Sequence, residues 1–210
     1  MKKRFLASVV AVAAVGATVV AAPASASSPP TGERSLATVL AADGNTFDRN
    51  WHDYDILDKA VTTVLTVKPN SPVKVLADGS QPLTAFLPTD RAFQRLVTDL
   101  TKKRPHTERA TFDKLAATVD VETIETVLLY HVVLDSTITY RQALRADGAA
   151  LGTAAGLPVT VDVLGKWWIR LKDQDKDDRN AWVKVSARDI NKGNKQIAHG
   201  ITQVLRPKNL

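Results

Sequence analysis

Leu83-Thr84-Ala85-Phe86-Leu87-Pro88-Thr89-Asp90-Arg91-Ala92-Phe93 passes from strand to helix within eleven residues. Leu83 to Leu87 is a short apolar run with the composition of a buried strand. Pro88-Thr89-Asp90 then opens a helix whose inward stripe is Phe93, Leu96, Val97 and Leu100. Upstream, Val73 to Ala77 alternates like a strand and Asp78-Gly79 is a turn signal, so Leu83 to Leu87 reads as the returning strand of a hairpin. Further back, Asp55 suits the N-cap of a helix with Ile56, Leu57, Ala60, Val61, Val64 and Leu65 on one face, stopped by Pro69. Ser35 suits the cap of a shorter helix carrying Leu36, Val39 and Leu40.

Downstream, a basic loop from Lys102 to Arg109 precedes a helix around Phe112, Leu115, Ala116 and Val119. Asp120 caps the next helix, which turns Ile124, Val127 and Leu128 inward and runs to Tyr130-His131. The period then changes. Thr137 to Tyr140 reads as a short strand and Gln142 to Asp147 as a short helix. Val159–Val163, Lys166–Lys172, Ala181–Val185 and Ile197–Leu205 read as strands. Helices first and strands later, with no regular alternation and no internal repeat, indicate one α+β domain over residues 35–207, with a short tail at 208–210.

The N-terminus reads as an export leader. Lys2, Lys3 and Arg4 precede an apolar run from Phe5 to Ala22, which ends in the small residues Ala22-Pro23-Ala24-Ser25-Ala26. The alanines and the two overlapping Ala-x-Ala sites favour a removed signal peptide at residues 1–26 over a membrane anchor. Residues 27–34 are then a polar linker with two prolines. Removal takes the formal net charge from +6 to +3, too small an excess to predict nucleic-acid binding. The chain has no cysteine, which excludes disulfides and a thioether-linked lipid. A domain of this length can nevertheless bury enough surface to fold without covalent staples. The expectation is a secreted, disulfide-free, monomeric protein without stable membrane insertion.

Chemistry has few footholds. None of His52, His106, His131 and His199 has a second ligand at a metal-binding spacing, and no serine elbow or glycine-rich phosphate loop is present. His131 and His199 sit among apolar residues, where an imidazole bridges buried backbone groups. No catalytic, cofactor or metal residue is therefore expected. Asp173 to Asp178 lacks the glycine and closing glutamate of a calcium loop and reads as a solvated hairpin tip. Lys102-Lys103-Arg104-Pro105-His106 reads as a solvated loop, with docking on acidic polymers as its functional alternative.

Strand alternation gives a sharper signal. In Lys166–Lys172, Trp167, Ile169 and Leu171 share one face, and Lys166, Trp168, Arg170 and Lys172 share the other. In Ala181–Ala187, Trp182 and Lys184 stand opposite Ala181, Val183 and Val185. If these strands pair, Trp168 and Trp182 meet on a basic face that could stack on a sugar or engage a protein, unless another element covers them.

The landmarks taken in order resemble the fasciclin domain family. They are Leu83 to Phe93, then Leu128-Leu129-Tyr130-His131-Val132-Val133, then Asp189-Ile190, His199 and Val204-Leu205-Arg206-Pro207. The stretches 101–120 and 173–180 look longer than in the family. Asn194-Lys195-Gln196-Ile197-Ala198-His199-Gly200 stands where the family usually has Asn-Gly before an apolar-His-apolar run. The resemblance implies a fasciclin-like wedge: a β-sandwich core with helices packed in the N-terminal half. It also implies a non-catalytic extracellular adhesion or binding module. The family's proposed adhesion contacts fall here on Asp189, Ile190, Tyr130 and His131. The expected partner is an extracellular protein, or a cell-surface polysaccharide held by Trp168 and Trp182.

Overall fold

The computed structural model describes residues 30–44 and 46–210. The leader read over residues 1–26 lies outside the described residues. Among the described residues, six α-helices and seven strands follow the order expected from the period change. They are α1 (Leu36–Leu40), α2 (Asp55–Val67), β1 (Leu83–Pro88), α3 (Asp90–Thr101), α4 (Glu108–Thr118), α5 (Val121–Tyr130), β2 (Val132–Leu134), α6 (Tyr140–Ala143), β3 (Ala150–Gly152), β4 (Pro158–Leu164), β5 (Trp168–Lys172), β6 (Ala181–Trp182) and β7 (Gln196–Ile201).

The strands form two sheets. β1 lies at the centre of the first, antiparallel to β2 and parallel to β7, and the second is an antiparallel series β3-β4-β5-β6. Every residue of β1 and β7 is buried. The period-two geometry of a strand divides their side chains between two cores. Leu83, Ala85, Leu87 and Ala198 face a cluster built from α1 to α5. Phe86 and Ile201 face a second cluster, with Val159, Val161, Ile169, Leu171, Ala181 and Val183 from the four-stranded sheet. The first sheet is therefore the partition of an α+β wedge, with helices on one side and a second sheet on the other.

Four local readings are corrected. Val73 to Ala77 is not a strand but part of a 3-10 helix, Pro72–Ala77, with Ser71 Oγ accepting from the Val73 amide. Pro72 at its first turn is pre-set for helical φ, and Val73 and Leu76 are buried at the three-residue spacing of that helix. β1 consequently has no hairpin partner upstream and pairs with strands far along the chain. Thr137 to Tyr140 is not a strand either. Thr139 caps α6 in a reciprocal box with Gln142, which starts that helix earlier than expected. Ala181 to Val185 is a strand only to Trp182. Beyond it, Val183 bridges to Ile201 and the chain tightens into a 3-10 turn, Val185–Ala187. This crossing ties the second sheet to the first.

The fourth correction concerns the start of α2. Asp55 is its first residue rather than its cap, and Tyr54 at the cap makes no side-chain capping bond. The missing acceptor comes from α3: Asp90 Oδ1 takes the Ile56 amide at 2.9 Å. Asp90 is fully buried. Its pKa is pushed up to about 9 by burial, by a hydrogen bond with Asp53, and by the charges of Asp53 and Glu108, against the pull of the Ile56 amide. Asp90 therefore holds a proton at neutral pH. A raised carboxyl pKa stabilises the fold fully below about pH 4 and progressively less as pH climbs towards 9. Asp90→Asn cannot ionise and retains an amide oxygen for Ile56. Denaturant titrations at pH 5, 7 and 9 are expected to show its stability rising relative to the native chain at each step. A constant difference would show that Asp90 does not titrate in that window.

Candidate functional site

α5 positions Tyr130 and His131 at its C-terminal end, where the chain passes into β2. His131 is 4% exposed. Its Nε2 accepts the Leu205 amide at 2.9 Å, so the proton must sit on Nδ1, which donates to the Val127 carbonyl at 2.7 Å. His199, on β7, uses the opposite tautomer: Nδ1 accepts the Asp189 amide at 3.2 Å and Nε2 donates to the Ile138 carbonyl at 2.8 Å. Both rings are neutral braces between backbone groups. Protonation would place a ring N–H against an amide N–H. Burial pushes the His131 pKa down to about 4 against the pull of the Val127 carbonyl, and burial also lowers that of His199. Tyr130 is fully buried and donates its hydroxyl to the Pro158 carbonyl at 2.9 Å.

Asp189 and Ile190 occupy a different place. Asp189 is half-buried in a left-handed turn (φ 53°), and its Oδ1 accepts the Tyr140 amide at 2.7 Å. Ile190 exchanges both backbone hydrogen bonds with Ala198 of β7 and packs on the helical core. The motif thus seats α6 and the preceding loop on β7. Arg188, its neighbour, leads directly to the indole surface.

That surface is open. β5 and β6 pair antiparallel with Arg170 opposite Trp182, which places Trp168 diagonally across from Trp182 on the face away from the core. Trp168 is 56% exposed and Trp182 38%, so no element covers both rings. Asp162, opposite Arg170 on β4, holds the Arg170 guanidinium at 2.5 Å and also binds Lys172 at 3.2 Å. Arg170, so held, stacks over the Trp182 ring at 5.7 Å. Trp168 and Trp182 line an open groove of about 780 Å³ with Val183, Lys184, Arg188 and Thr202. Trp182 and Thr202 exchange two hydrogen bonds of 3.0 Å, fixing the groove's floor to the end of β7.

Two further features escaped the sequence reading. Asp173 to Asp178 is not a solvated tip but folds onto Arg206. Asp173 Oδ2 accepts the Arg206 amide at 2.9 Å, and the guanidinium binds Asp99 at 2.9 Å, Asp175 at 3.4 Å, and Asp178. Arg206 is buried, and a buried guanidinium is stable only with carboxylates beside it, a condition that nothing local in the sequence announces. Carboxylates also gather where α2, α3 and α4 begin. Asp48, Asp53 and Asp55 form one group, and Asp53, Asp90 and Glu108 another, each with ligand atoms within 4.8 Å and so close enough to hold a cation. The second group stands at three helix N-termini, whose positive ends favour carboxylates, and the proton on Asp90 relieves the remaining repulsion.

The family model for the fasciclin domain matches residues 59–207. The chain belongs to the fasciclin domain family. Its fold is shared with a pair of FAS1 domains from the insect cell adhesion molecule fasciclin I, at a TM-score of 0.50 and 15% identity. That likeness covers 72% of this chain and 47% of the other, so this fasciclin chain spans about half the length of the solved domain pair. No curated protein matches it. Fasciclin domains are generally non-catalytic, mediate protein interactions and are commonly found outside the cell or at its surface. Among the described residues, no helix is long and apolar enough to cross a membrane.

The imidazole brace has a pH signature. The unfolded chain takes up a proton at His131 near pH 6.5, and the folded chain only near 4. Stability is therefore lost as pH falls through that interval, by up to about 1.4 kcal/mol per pH unit. His131→Ala leaves the Leu205 amide and Val127 carbonyl buried without partners and is expected to cost about 2–4 kcal/mol. Carbon chemical shifts of the His131 imidazole should stay nearly flat from pH 8 to 5; its titration near 6.5 would contradict the brace.

Proposed function

We propose that this fasciclin domain is a secreted extracellular binding module, without catalysis, whose principal contact is the Trp168–Trp182 groove. The observation that carries the reading is two large aromatic side chains left open to solvent on a strand face while the rest of β5 is packed or ion-paired. Exposed indoles cost solubility and contribute nothing to the core, and partially desolvated indoles at the centre of a patch dominate binding energy in protein contacts. Asp189 and Ile190 follow directly on Arg188, which lines the groove, and add to the contact from its border, whereas Tyr130 and His131 are buried and contribute through the packing of the domain. The buried, backbone-bonded state of both central histidines supports a role without acid–base chemistry.

A second reading, that the occupant is a carbohydrate, is favoured by the groove's composition. Apolar indole faces stand beside the hydroxyls of Ser186 and Thr202 and the cations Lys184 and Arg188. Sugar rings present apolar C–H faces for stacking and equatorial hydroxyls for such groups. The test is the full-length mature protein and its Trp168→Ala/Trp182→Ala variant, measured for attachment to intact cells and to a glycan array. Removal of the indoles is expected to weaken cell attachment at least tenfold while stability changes by no more than about 1 kcal/mol. Equal attachment by both proteins would overturn the groove as the contact. Loss of attachment without any glycan on the array assigns the groove to a protein partner.

A further inference from the structure

On the other side of the Thr202–Gln203 segment lies a second open groove, of about 930 Å³, between α3, the loop after it, and the loop joining β5 to β6. Arg91 and Arg95, one helical turn apart on α3, line it with Arg104 and Arg179. Among the described residues, none of these four guanidinium groups forms an ion pair. Arg95 donates to the Thr202 carbonyl at 2.7 Å, and Arg91 donates to Gln94 Oε1 at 2.7 Å and stands over Trp51 at 4.9 Å. Neutral acceptors fix their direction without neutralising their charge.

The acids that line the same groove are already engaged. Asp99 and Asp178 bind the Arg206 guanidinium and Asp173 its backbone amide. Lys102 shares Asp99 at 3.2 Å. Elsewhere arginines do find carboxylates, as in Arg109 with Asp113 and Arg170 with Asp162. The four arginines here repel one another instead: the Arg95 pKa is lowered by burial and then by the charges of Arg91, Arg179 and Arg104. An unpaired cluster of this kind gains most from a multivalent anion, because each guanidinium fork matches two phosphate oxygens.

We infer that this groove is a second contact site, which holds a cell-surface polymer carrying phosphodiester groups along its chain. An open concave groove lined by four arginines admits a chain, several of whose phosphates can meet guanidinium groups at once. A flat bilayer of anionic headgroups cannot follow that concavity. A single-stranded nucleic acid would want exposed aromatic faces in the groove to stack on, and the nearby Trp51 ring is covered by Arg91. The site shares the extracellular setting of the proposed function but not the indole contact.

The probe is poly(glycerol phosphate), titrated into the full-length mature protein at several salt concentrations, with anionic phospholipid vesicles in a parallel arm. Arg95→Gln/Arg104→Gln/Arg179→Gln is expected to weaken polymer binding at least tenfold and to reduce the slope of log K against log salt by about 2. Lys74→Gln/Lys166→Gln/Lys192→Gln removes the same charge from exposed positions outside the groove and is expected to bind nearly as the native chain does. Circular dichroism and thermal melts confirm that each variant is folded, and Trp168→Ala/Trp182→Ala is expected to retain the polymer. The inference is overturned if native and arginine-variant proteins bind alike, or if the lysine variant loses as much. It is also overturned if vesicles bind as tightly as the polymer, or if the indole variant loses the polymer.

Discussion

A neutral imidazole closes this fold. His131 links the carbonyl of Val127, in the last turns of α5, to the amide of Leu205, just beyond β7. The same residue's own carbonyl accepts the Phe86 amide of β1 at 2.9 Å, and β1 is buried on both faces and hydrogen-bonded on both edges. A strand so placed exposes no backbone group to water, so every amide and carbonyl around it needs a protein partner. Its parallel neighbour β7 comes from the far end of the chain, and parallel pairing of this kind brings a large loop-closure cost. His131 and His199 supply polar bonds on the flanks of that pairing that apolar packing alone would leave unmade. Their neutrality follows from the same geometry, and with it their unsuitability for proton transfer at this depth.

The sequence was most legible where a single period governs a long segment. The stripes of α2, α3, α4 and α5 and the alternation of β4 and β5 follow directly from residue spacing, and the strand-to-helix change at Pro88-Thr89-Asp90 placed the central strand. Failures came where short segments satisfy two periods at once. Val73, Val75 and Ala77 alternate like a strand, yet Val73 and Leu76 also repeat at three, and Ser71-Pro72 decides for the 3-10 helix. Thr137 to Tyr140 has strand-forming residues, but the reciprocal Thr139–Gln142 bonds are worth more to a segment too short for a ladder. The Asp90 bond to Ile56 and the Arg206 carboxylate cluster join residues 34 and roughly 30 to 100 positions apart, and no local pattern announces them.

Of the surface, the indole pair was visible beforehand because strand alternation assigns faces and the hairpin register brings the rings together. The outward face alone left open whether another element lay over them, and only the tertiary arrangement leaves Trp168 and Trp182 accessible. The arginine groove was hidden for a different reason. The basic run after α3 supplies just one of its four arginines, and the others arrive from α3 itself and from a loop about 75 residues later. Charge clusters assembled by topology have no sequence signature, whereas aromatic pairs on a hairpin do. The two grooves meet at Thr202–Gln203, the stretch that leaves β7, so the buried pairing of β1 and β7 also sets the outer contact surfaces.

The most direct test of this arrangement is amide hydrogen exchange at Leu205 in the intact domain. Held by His131 Nε2 in the interior, that amide should exchange only through global unfolding, at the same free energy as the amides of β1. Exchange at the rate of a surface loop would mean that the imidazole does not close the fold.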